Sequence, residues 1–159
     1  EIIDELKKLQ KKDAYYFYRK FYFAGKPINF SGTQTDKNFR LFRKSKCRYV
    51  AEKKVHETLE VNGTVGVLEN KLLHYSVADY DSYREKMIHY GQLKGKELFA
   101  KGKKYNRITQ YSKTAFKFFK TYFIRLGFLD GKEGFQLAEL QTLSVFETYN
   151  SLQTLEKKQ

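Results

Sequence analysis

The chain has 159 residues, of which 41% are hydrophobic and 17% aromatic, enough for the packed core of one ordinary domain and too many for a disordered chain. It carries 31 Lys and Arg against 18 Asp and Glu, and the net charge of +13 indicates an anionic partner. Nucleic acid, phosphorylated small molecules and acidic lipid headgroups all satisfy that charge. The single cysteine, Cys47, excludes a disulfide within the chain and is typical of a reducing compartment.

Neither a membrane span nor a leader sequence is visible. No run approaches the roughly 18 apolar residues that a membrane-spanning helix needs, and no secretory signal is present. The chain opens at Glu1 in a helical pattern and without an initiator Met. We therefore expect it to be part of a longer protein.

The first half of the chain is predicted to mix helix and strand. Apolar residues at helical spacing predict a helix over residues 1–12, and the dense aromatics of residues 14–23 predict a buried strand. Residues 39–43 alternate apolar and basic side chains, which favours a short strand with basic groups beside the core. An Asn-Gly pair at 62–63 predicts a turn. Short strands or extended segments are expected at 65–68 and 72–75.

The second half is predicted to be entirely helical. Asp79 has the chemistry of an N-cap for a helix over residues 80–101. A second helix is expected over residues 107–126, with Gly127 as the left-handed residue that ends it. A third helix is expected over residues 135–155.

These patterns predict a mixed α/β (α+β) fold. Gly91 and Gly95, four residues apart on the first predicted helix of the second half, would let another element approach closely. The pattern changes near residues 76–79 without a Pro-rich or Ser-rich linker. We therefore predict two adjoining parts, residues 1–77 and residues 78–159.

Residues 101–126 carry eight Lys and Arg and no Asp or Glu. Lys113, Lys117 and Lys120 follow helical spacing beside several Phe and Tyr side chains. Three interpretations stay open: a core helix with a solvated charged face, an interfacial helix on anionic lipid, and a surface for single-stranded nucleic acid. No recognised nucleic-acid-binding pattern accompanies this stretch, which disfavours the third interpretation.

His56 and Glu57 form a second candidate site. A neutral imidazole can bind a divalent metal, and a carboxylate can take the proton of an acceptor hydroxyl; a purely structural histidine is the alternative. Upstream, Arg40 and Arg43 could hold a diphosphate bidentately if their guanidinium groups project from one region. In an extended segment, however, His56 and Glu57 would point to opposite faces and could not both contact one ligand.

Five short motifs of this chain occur in the order and with the gaps of a known family. They are RLFR at 40–43, VHE at 55–57, LHYS at 73–76, GFLDG at 127–131 and GF at 134–135. Over nearly its whole length the chain resembles the carboxyl-terminal part of bacterial family-2 glycosyltransferases of the lipopolysaccharide core glucosyltransferase type. The resemblance implies the acceptor-side remainder of a GT-A fold, with a few strands followed by a three-helix carboxyl-terminal region.

The resemblance also implies roles for five residues. His56 matches the third ligand of the Mg²⁺ or Mn²⁺ ion of the full-length enzyme, and Arg40 and Arg43 match the basic strand beside the sugar-nucleotide. Asp36 and Glu57 are the carboxylates available as the base for the acceptor hydroxyl, and which of them serves stays open. The Asp-X-Asp segment of such enzymes would precede this chain, so we expect the chain alone to be inactive.

The implied activity is the transfer of a sugar, with inversion, from a nucleotide-sugar donor to a lipopolysaccharide or other surface-glycan acceptor. We expect the acceptor to be a glycan or to be lipid-linked. We also expect a cytoplasmic protein that contacts an anionic membrane surface peripherally, at the inner face of the cytoplasmic membrane. A homodimer of the fragment stays open, because a severed half-domain exposes apolar surface. The alternative is a basic nucleic-acid-binding or membrane-docking module without catalysis, with nucleic acid the disfavoured partner.

Overall fold

The computed structural model describes residues 2–8, 11–33, 37–49 and 59–158. Across these residues the protein is a mixed α/β structure with about 55% helix and 26% strand, which confirms the coarse fold class predicted from the sequence. The chain divides into two compact units. The strand unit comprises Glu1–Lys20 and Gln34–His74, and the helical unit comprises Phe21–Thr33 and Tyr75–Gln159.

The helices and strands of the described residues follow one another in this chain order: α1 (Ile2–Lys8), β1 (Ala14–Phe23), β2 (Lys26–Pro27), β3 (Lys37–Phe42), β4 (Cys47–Tyr49), β5 (Leu59–Val61), β6 (Val65–Val77), α2 (Tyr80–Ala100), α3 (Arg107–Phe119) and α4 (Gly131–Glu156). Short helical turns lie at Lys44–Lys46, Lys120–Ile124 and Gly127–Asp130. The strand predicted over residues 14–23 is confirmed. In contrast, residues 11 and 12 are not helical although the first predicted helix included them, β6 is one long strand instead of two short ones, and α4 begins at Gly131 instead of residue 135.

The core of the strand unit forms around β1. Tyr15 and Phe17 of β1 are buried with Leu68 of β6, and Leu72 packs beside them. β1 pairs antiparallel with β3 over residues 14–18 and also pairs with β6. None of the ten residues of β1 is exposed, as expected for an aromatic-rich strand that fills the space between its neighbours.

Asp13 fixes the connection from β5 to β6. The backbone N–H and the hydroxyl of Thr64 both donate to the Asp13 carboxylate, at 2.9 and 3.1 Å, and the Asp13 backbone N–H donates to the Thr64 carbonyl at 2.8 Å. The chain bends at the predicted Asn62-Gly63 turn. Because β5 pairs with β4 whereas β6 pairs with β1, this turn joins two different sheets.

Close contact between α2 and α4 holds the helical unit together. A Cβ at Gly95 of α2 would lie 2.6 Å from the Thr148 carbonyl oxygen of α4, and a Cβ at Gly91 would lie 2.7 Å from the Ser144 carbonyl oxygen. Real side chains do not approach a backbone so closely, so both positions require glycine. The close approach predicted at these two glycines is confirmed.

The core of the helical unit lies where β1, β6 and the two long helices meet. Its buried members are Phe23, Ile28, Val77, Met87, Leu137 and Leu140. The predicted N-cap of α2 is confirmed, since the Asp79 side chain accepts a hydrogen bond from the Ser82 N–H at 2.8 Å. That bond satisfies one of the free donors of the first turn and fixes where the helix begins.

The end of the basic helix differs from the prediction. α3 ends at Phe119 and continues as the π-helical turn Lys120–Ile124. The left-handed residue is Leu126, with φ of 56°, and not Gly127. Gly127 is required for a different reason, because a Cβ there would lie 2.8 Å from the Thr121 carbonyl oxygen.

Candidate functional site

The structure describes two of the five residues that the sequence singles out. Asp36, His56 and Glu57 lie outside the described residues. Arg40 and Arg43 lie in the strand unit, on β3 and directly after it. Only the basic part of the expected site therefore has a described geometry.

Arg40 lies at an irregularity in the pairing of β1 with β3. Tyr15 pairs with Leu41 and Tyr16 pairs with Phe39, so Arg40 has no partner residue on β1. A bulge of this kind changes the direction in which the extra side chain points. The Arg40 side chain is exposed and forms no ion pair with any described residue, which leaves its guanidinium group available to an anion.

Arg43 contacts the aspartate that fixes the β5–β6 connection. Its backbone N–H donates to the Asp13 carbonyl at 2.8 Å, and its Nη1 lies 3.5 Å from Asp13 Oδ1. Hydrogen bonds from Thr64 hold the pKa of Asp13 below its ordinary value, and the charges of Arg43 and Lys46 lower it further. Exposed ion pairs of this kind are weak, and a guanidinium group has five donors. Arg43 can therefore still bind an anion.

Metal binding requires several ligands in one place. Within the described part of the chain, no group of three or more His, Cys, Asp or Glu side chains could hold a metal ion. His56 is not among those residues, so its role as a metal ligand stays a prediction. His74 is partly buried, with Nε2 lying 3.4 Å from Arg19 Nη1.

The helical unit exposes an apolar surface. In the stretch 108–135, which is described throughout, ten large apolar side chains are at least 42% exposed. Proteins rarely leave so many large apolar groups uncovered in one stretch, which indicates a partner. We use the name apolar surface for six of them: Phe116, Phe119, Phe123, Ile124, Phe128 and Leu129.

The opposite face of α3 packs against α4. Gln110 is buried, and its Nε2 donates to the Phe146 carbonyl at 3.2 Å. Further along, the rings of Phe118 and Tyr122 pack edge-on against Phe135, at 5.9 and 5.7 Å between centroids. Core packing thus accounts for Phe118 and Tyr122. Phe123 and Phe128 of the apolar surface also contact the ring of Tyr122, at 5.1 and 6.3 Å between centroids, but each stays at least 44% exposed.

Basic side chains accompany the apolar surface along the same stretch. Lys113, Lys117, Lys120 and Arg125 form no ion pair with any described residue. Burial lowers the pKa of Lys117, and the charges of Arg125 and Lys120 lower it further. Cations that repel one another in this way favour an anion that neutralises them.

The GFLDG motif at 127–131 has a structural role that the sequence did not predict. The Asp130 carboxylate accepts hydrogen bonds from the backbone N–H groups of Asn29 and Phe30, at 2.8 and 2.9 Å, and from the Ser31 hydroxyl at 3.2 Å. All four residues belong to the helical unit. The motif therefore anchors the loop that follows β2. In the sequence, the only signal of this role is that Asp130 lies between Gly127 and Gly131.

A cavity of the strand unit was also missed. It has a volume of about 790 Å³ and lies beside the turn Lys44–Lys46, with lining residues from β4 and β5 that include Arg48 and Glu60. Its signal in the sequence is the basic run of residues 37–50. In that run we assigned roles only to Arg40 and Arg43.

Comparisons with family models and with solved structures give no match from which a function could be assigned. No family model matches the sequence. No solved structure matches the fold at a significant level. Within the described ranges, no helix combines the length and the apolar character needed to cross a membrane. The glycosyltransferase resemblance therefore stays a prediction from the five motifs.

Proposed function

We propose that this chain is the acceptor-side part of an inverting family-2 glycosyltransferase, the remainder of a GT-A domain, and that its apolar surface docks on an anionic membrane. The observation that carries the proposal is the exposed apolar surface itself, with the exposed side chains of Lys120 and Arg125 in the same stretch. The mixed α/β fold and the order of the five motifs support the same assignment.

The chemistry of the apolar surface suits the boundary between lipid headgroups and acyl chains. Phe side chains enter that boundary because burial of apolar area is favourable. Each Lys or Arg near the surface adds about 1 kcal/mol of attraction to anionic lipid. Residues 101–126 contain no acid that would oppose this attraction. Docking would bring the enzyme to a lipid-linked acceptor at the inner face of the cytoplasmic membrane.

Sugar transfer requires a base and a site for the departing diphosphate. Glu57 or Asp36 would take the proton of the acceptor hydroxyl, whose oxygen attacks the anomeric carbon while the bond to the nucleoside diphosphate breaks. Arg40 and Arg43 would hold that diphosphate. A Mg²⁺ or Mn²⁺ ion, for which this chain offers His56, neutralises charge on the leaving group when it is bound.

Membrane docking is tested by cosedimentation with phosphatidylglycerol vesicles. Phe119→Ser combined with Phe123→Ser should weaken binding at least about tenfold, because each phenylalanine loses roughly 1.5–3 kcal/mol of apolar burial. The matched control combines Tyr90→Ser with Leu93→Ser, which are similarly exposed on α2, and should bind like the parent chain. Equal binding by all three proteins would contradict docking through the apolar surface.

The catalytic assignment is tested in the full-length protein, with nucleoside diphosphate release as the readout. Glu57→Gln or Asp36→Asn should reduce turnover about a hundredfold or more, as expected for loss of a general base, and should leave nucleotide-sugar binding unchanged. The other substitution then serves as the control. Normal turnover in both variants would overturn the assignment and favour a membrane-docking module without catalysis.

Two other partners would be revealed by the same preparations. Nucleic acid also binds exposed aromatics beside lysines, so tighter binding to an arbitrary oligonucleotide than to vesicles, with a steep salt dependence, would contradict the membrane partner.

A second copy of the chain could cover the apolar surface instead. A dimer in sedimentation that binds no vesicles, and that Phe119→Ser with Phe123→Ser converts to a monomer, would establish that alternative.

A further inference from the structure

The cavity beside the turn Lys44–Lys46 is built on the paired strands β4 and β5 of the strand unit. The Asn62 N–H donates to the Lys46 carbonyl at 2.8 Å, which places these two residues opposite each other. Arg48 lies opposite Glu60 in the same pairing. All four of these residues line the cavity.

Of the two pairs of opposite residues, only Arg48 with Glu60 joins a cation to an anion. Arg48 Nε lies 2.9 Å from Glu60 Oε2, so Glu60, the one acid among the described lining residues, already has a cation. Lys46 stands opposite the uncharged amide of Asn62, and Lys44 of the same turn also lines the cavity.

Neither lysine forms an ion pair with a described carboxylate. Lys46 influences Asp13 at longer range, but that aspartate is already hydrogen-bonded to Thr64. The cavity therefore presents two positive charges, those of Lys44 and Lys46, that form no ion pair with an acid in the described part of the chain.

The neutral groups of the lining suit the oxygens of a phosphate. The Ser45 hydroxyl and the Asn62 amide can each donate a hydrogen bond, while lysine ammonium groups act as compact point charges for phosphate. The space is open to solvent, because the side chains of Lys44, Ser45, Lys46 and Asn62 are exposed, and its volume is about 790 Å³. It exceeds what one phosphate fills and leaves room for an attached sugar or nucleoside.

We propose that this cavity binds the phosphate or diphosphate group of a small phosphorylated ligand, with Lys44 and Lys46 as its charge partners and Ser45 and Asn62 as hydrogen-bond donors. The proposed function assigns no role to these residues, because it places the donor diphosphate at two other arginines. The cavity and the apolar surface belong to different units, so either assignment can fail without the other.

The test is calorimetric titration of the purified chain with inorganic pyrophosphate at physiological ionic strength. Lys44→Gln combined with Lys46→Gln should weaken binding about tenfold or more, because two charge-assisted contacts are lost. The matched control, Lys103→Gln with Lys104→Gln, removes the same charge from an exposed stretch of the helical unit. It should change the affinity less than about twofold, since distant exposed charges are screened. Equal weakening in both variants, or no saturable binding by the parent chain, would overturn the proposal.

Glu60→Gln is a second variant, and we expect it to strengthen pyrophosphate binding instead of weakening it. It frees Arg48 from its partner and removes no cation, so pyrophosphate should bind more tightly than to the parent chain. Unchanged or weaker binding would overturn the proposal.

Phosphatidylglycerol vesicles distinguish a lipid phosphate from a small ligand. The Lys44→Gln, Lys46→Gln variant should bind these vesicles like the parent chain while losing affinity for pyrophosphate. Loss of vesicle binding with pyrophosphate binding intact would assign the cavity to lipid headgroups and overturn the proposal.

Discussion

Tyr83 shows how the burial of one side chain sets a pH dependence in the helical unit. Its ring packs edge-on against Phe23, with centroids 5.8 Å apart. Burial raises the pKa of Tyr83 from 10.0 to about 12, and the charge of Tyr90 contributes to the rise. The folded-state pKa of Tyr83 lies above the unfolded-state value, so the neutral side chain makes its full contribution to the free energy of unfolding below pH 10. That contribution is lost as the pH rises through about 12.

Tyr83→Phe keeps the ring and removes the ionisable hydroxyl. We expect the free energy of unfolding to be nearly unchanged at pH 7, and the variant to be about 1 kcal/mol more stable than the parent chain at pH 11. Chemical denaturation at both pH values measures the difference, with Tyr111→Phe, at a side chain that is 52% exposed, as the control. The same difference between Tyr83→Phe and the parent at both pH values would contradict burial of the hydroxyl.

Single residues could be predicted from the sequence only where their role is local. The cap at Asp79 and the contact points at Gly91 and Gly95 follow from residue type and spacing, and the structure confirms them. Gly127 was given the wrong role, because sequence does not distinguish a glycine required by its φ from one required by close packing. Asp130 was given no role, because Phe30, one of its partners, lies 100 positions away along the chain.

At the scale of elements, α3 and the π-helical turn after it present the apolar surface. Leu126 lies just after this turn, and its backbone is left-handed, with φ of 56° and ψ of 30°. A left-handed conformation costs an L-residue roughly 1–2 kcal/mol, since its Cβ crowds the following carbonyl. The strained residue lies at the point where the chain turns from this helix toward α4.

Leu126→Gly should raise the free energy of unfolding by up to about 1 kcal/mol, because glycine adopts positive φ without that steric cost. The matched control is Leu129→Gly, which removes another exposed leucine from a right-handed turn. The control should lower stability by about 0.5–1 kcal/mol, the usual cost of glycine in regular structure. Urea unfolding measures both variants. A comparable loss of stability in both would contradict strain at Leu126.

Whole elements were more predictable than their ends. Helical periodicity located α2, α3 and α4, and aromatic density located β1 with its observed bounds. The continuity of β6 was missed, because Glu69, Asn70 and Lys71 interrupt its apolar pattern although the strand continues through them. The change to π-helical geometry at Lys120 was missed as well, since the helical spacing of apolar residues continues through it to Leu126.

For the molecule as a whole, composition and charge indicate the charge of a partner but not the shape of its site. The excess of 31 basic over 18 acidic residues already indicated an anion. Periodicity showed which residues of α3 share a face, but not which face α4 covers. The structure separates Phe118 and Tyr122, which pack, from Phe119 and Phe123, which stay exposed. Neighbouring phenylalanines were therefore indistinguishable before the fold was known.

The central claim is that the apolar surface enters an anionic membrane, and a single introduced tryptophan tests it directly. The chain contains no Trp, so each variant reports on one position alone. Phe119→Trp places the reporter in the apolar surface, and Tyr90→Trp places it on α2 at similar exposure, 51% against 48% for the original side chains. Each is mixed with phosphatidylglycerol vesicles whose acyl chains are brominated.

If the apolar surface enters the membrane, the emission of Phe119→Trp shifts to shorter wavelength and is quenched by the bromine atoms, because the side chain lies roughly 5–10 Å into the boundary with the acyl chains. The emission of Tyr90→Trp should stay as it is in buffer. No quenching at either position, or equal quenching at both, would contradict docking through the apolar surface.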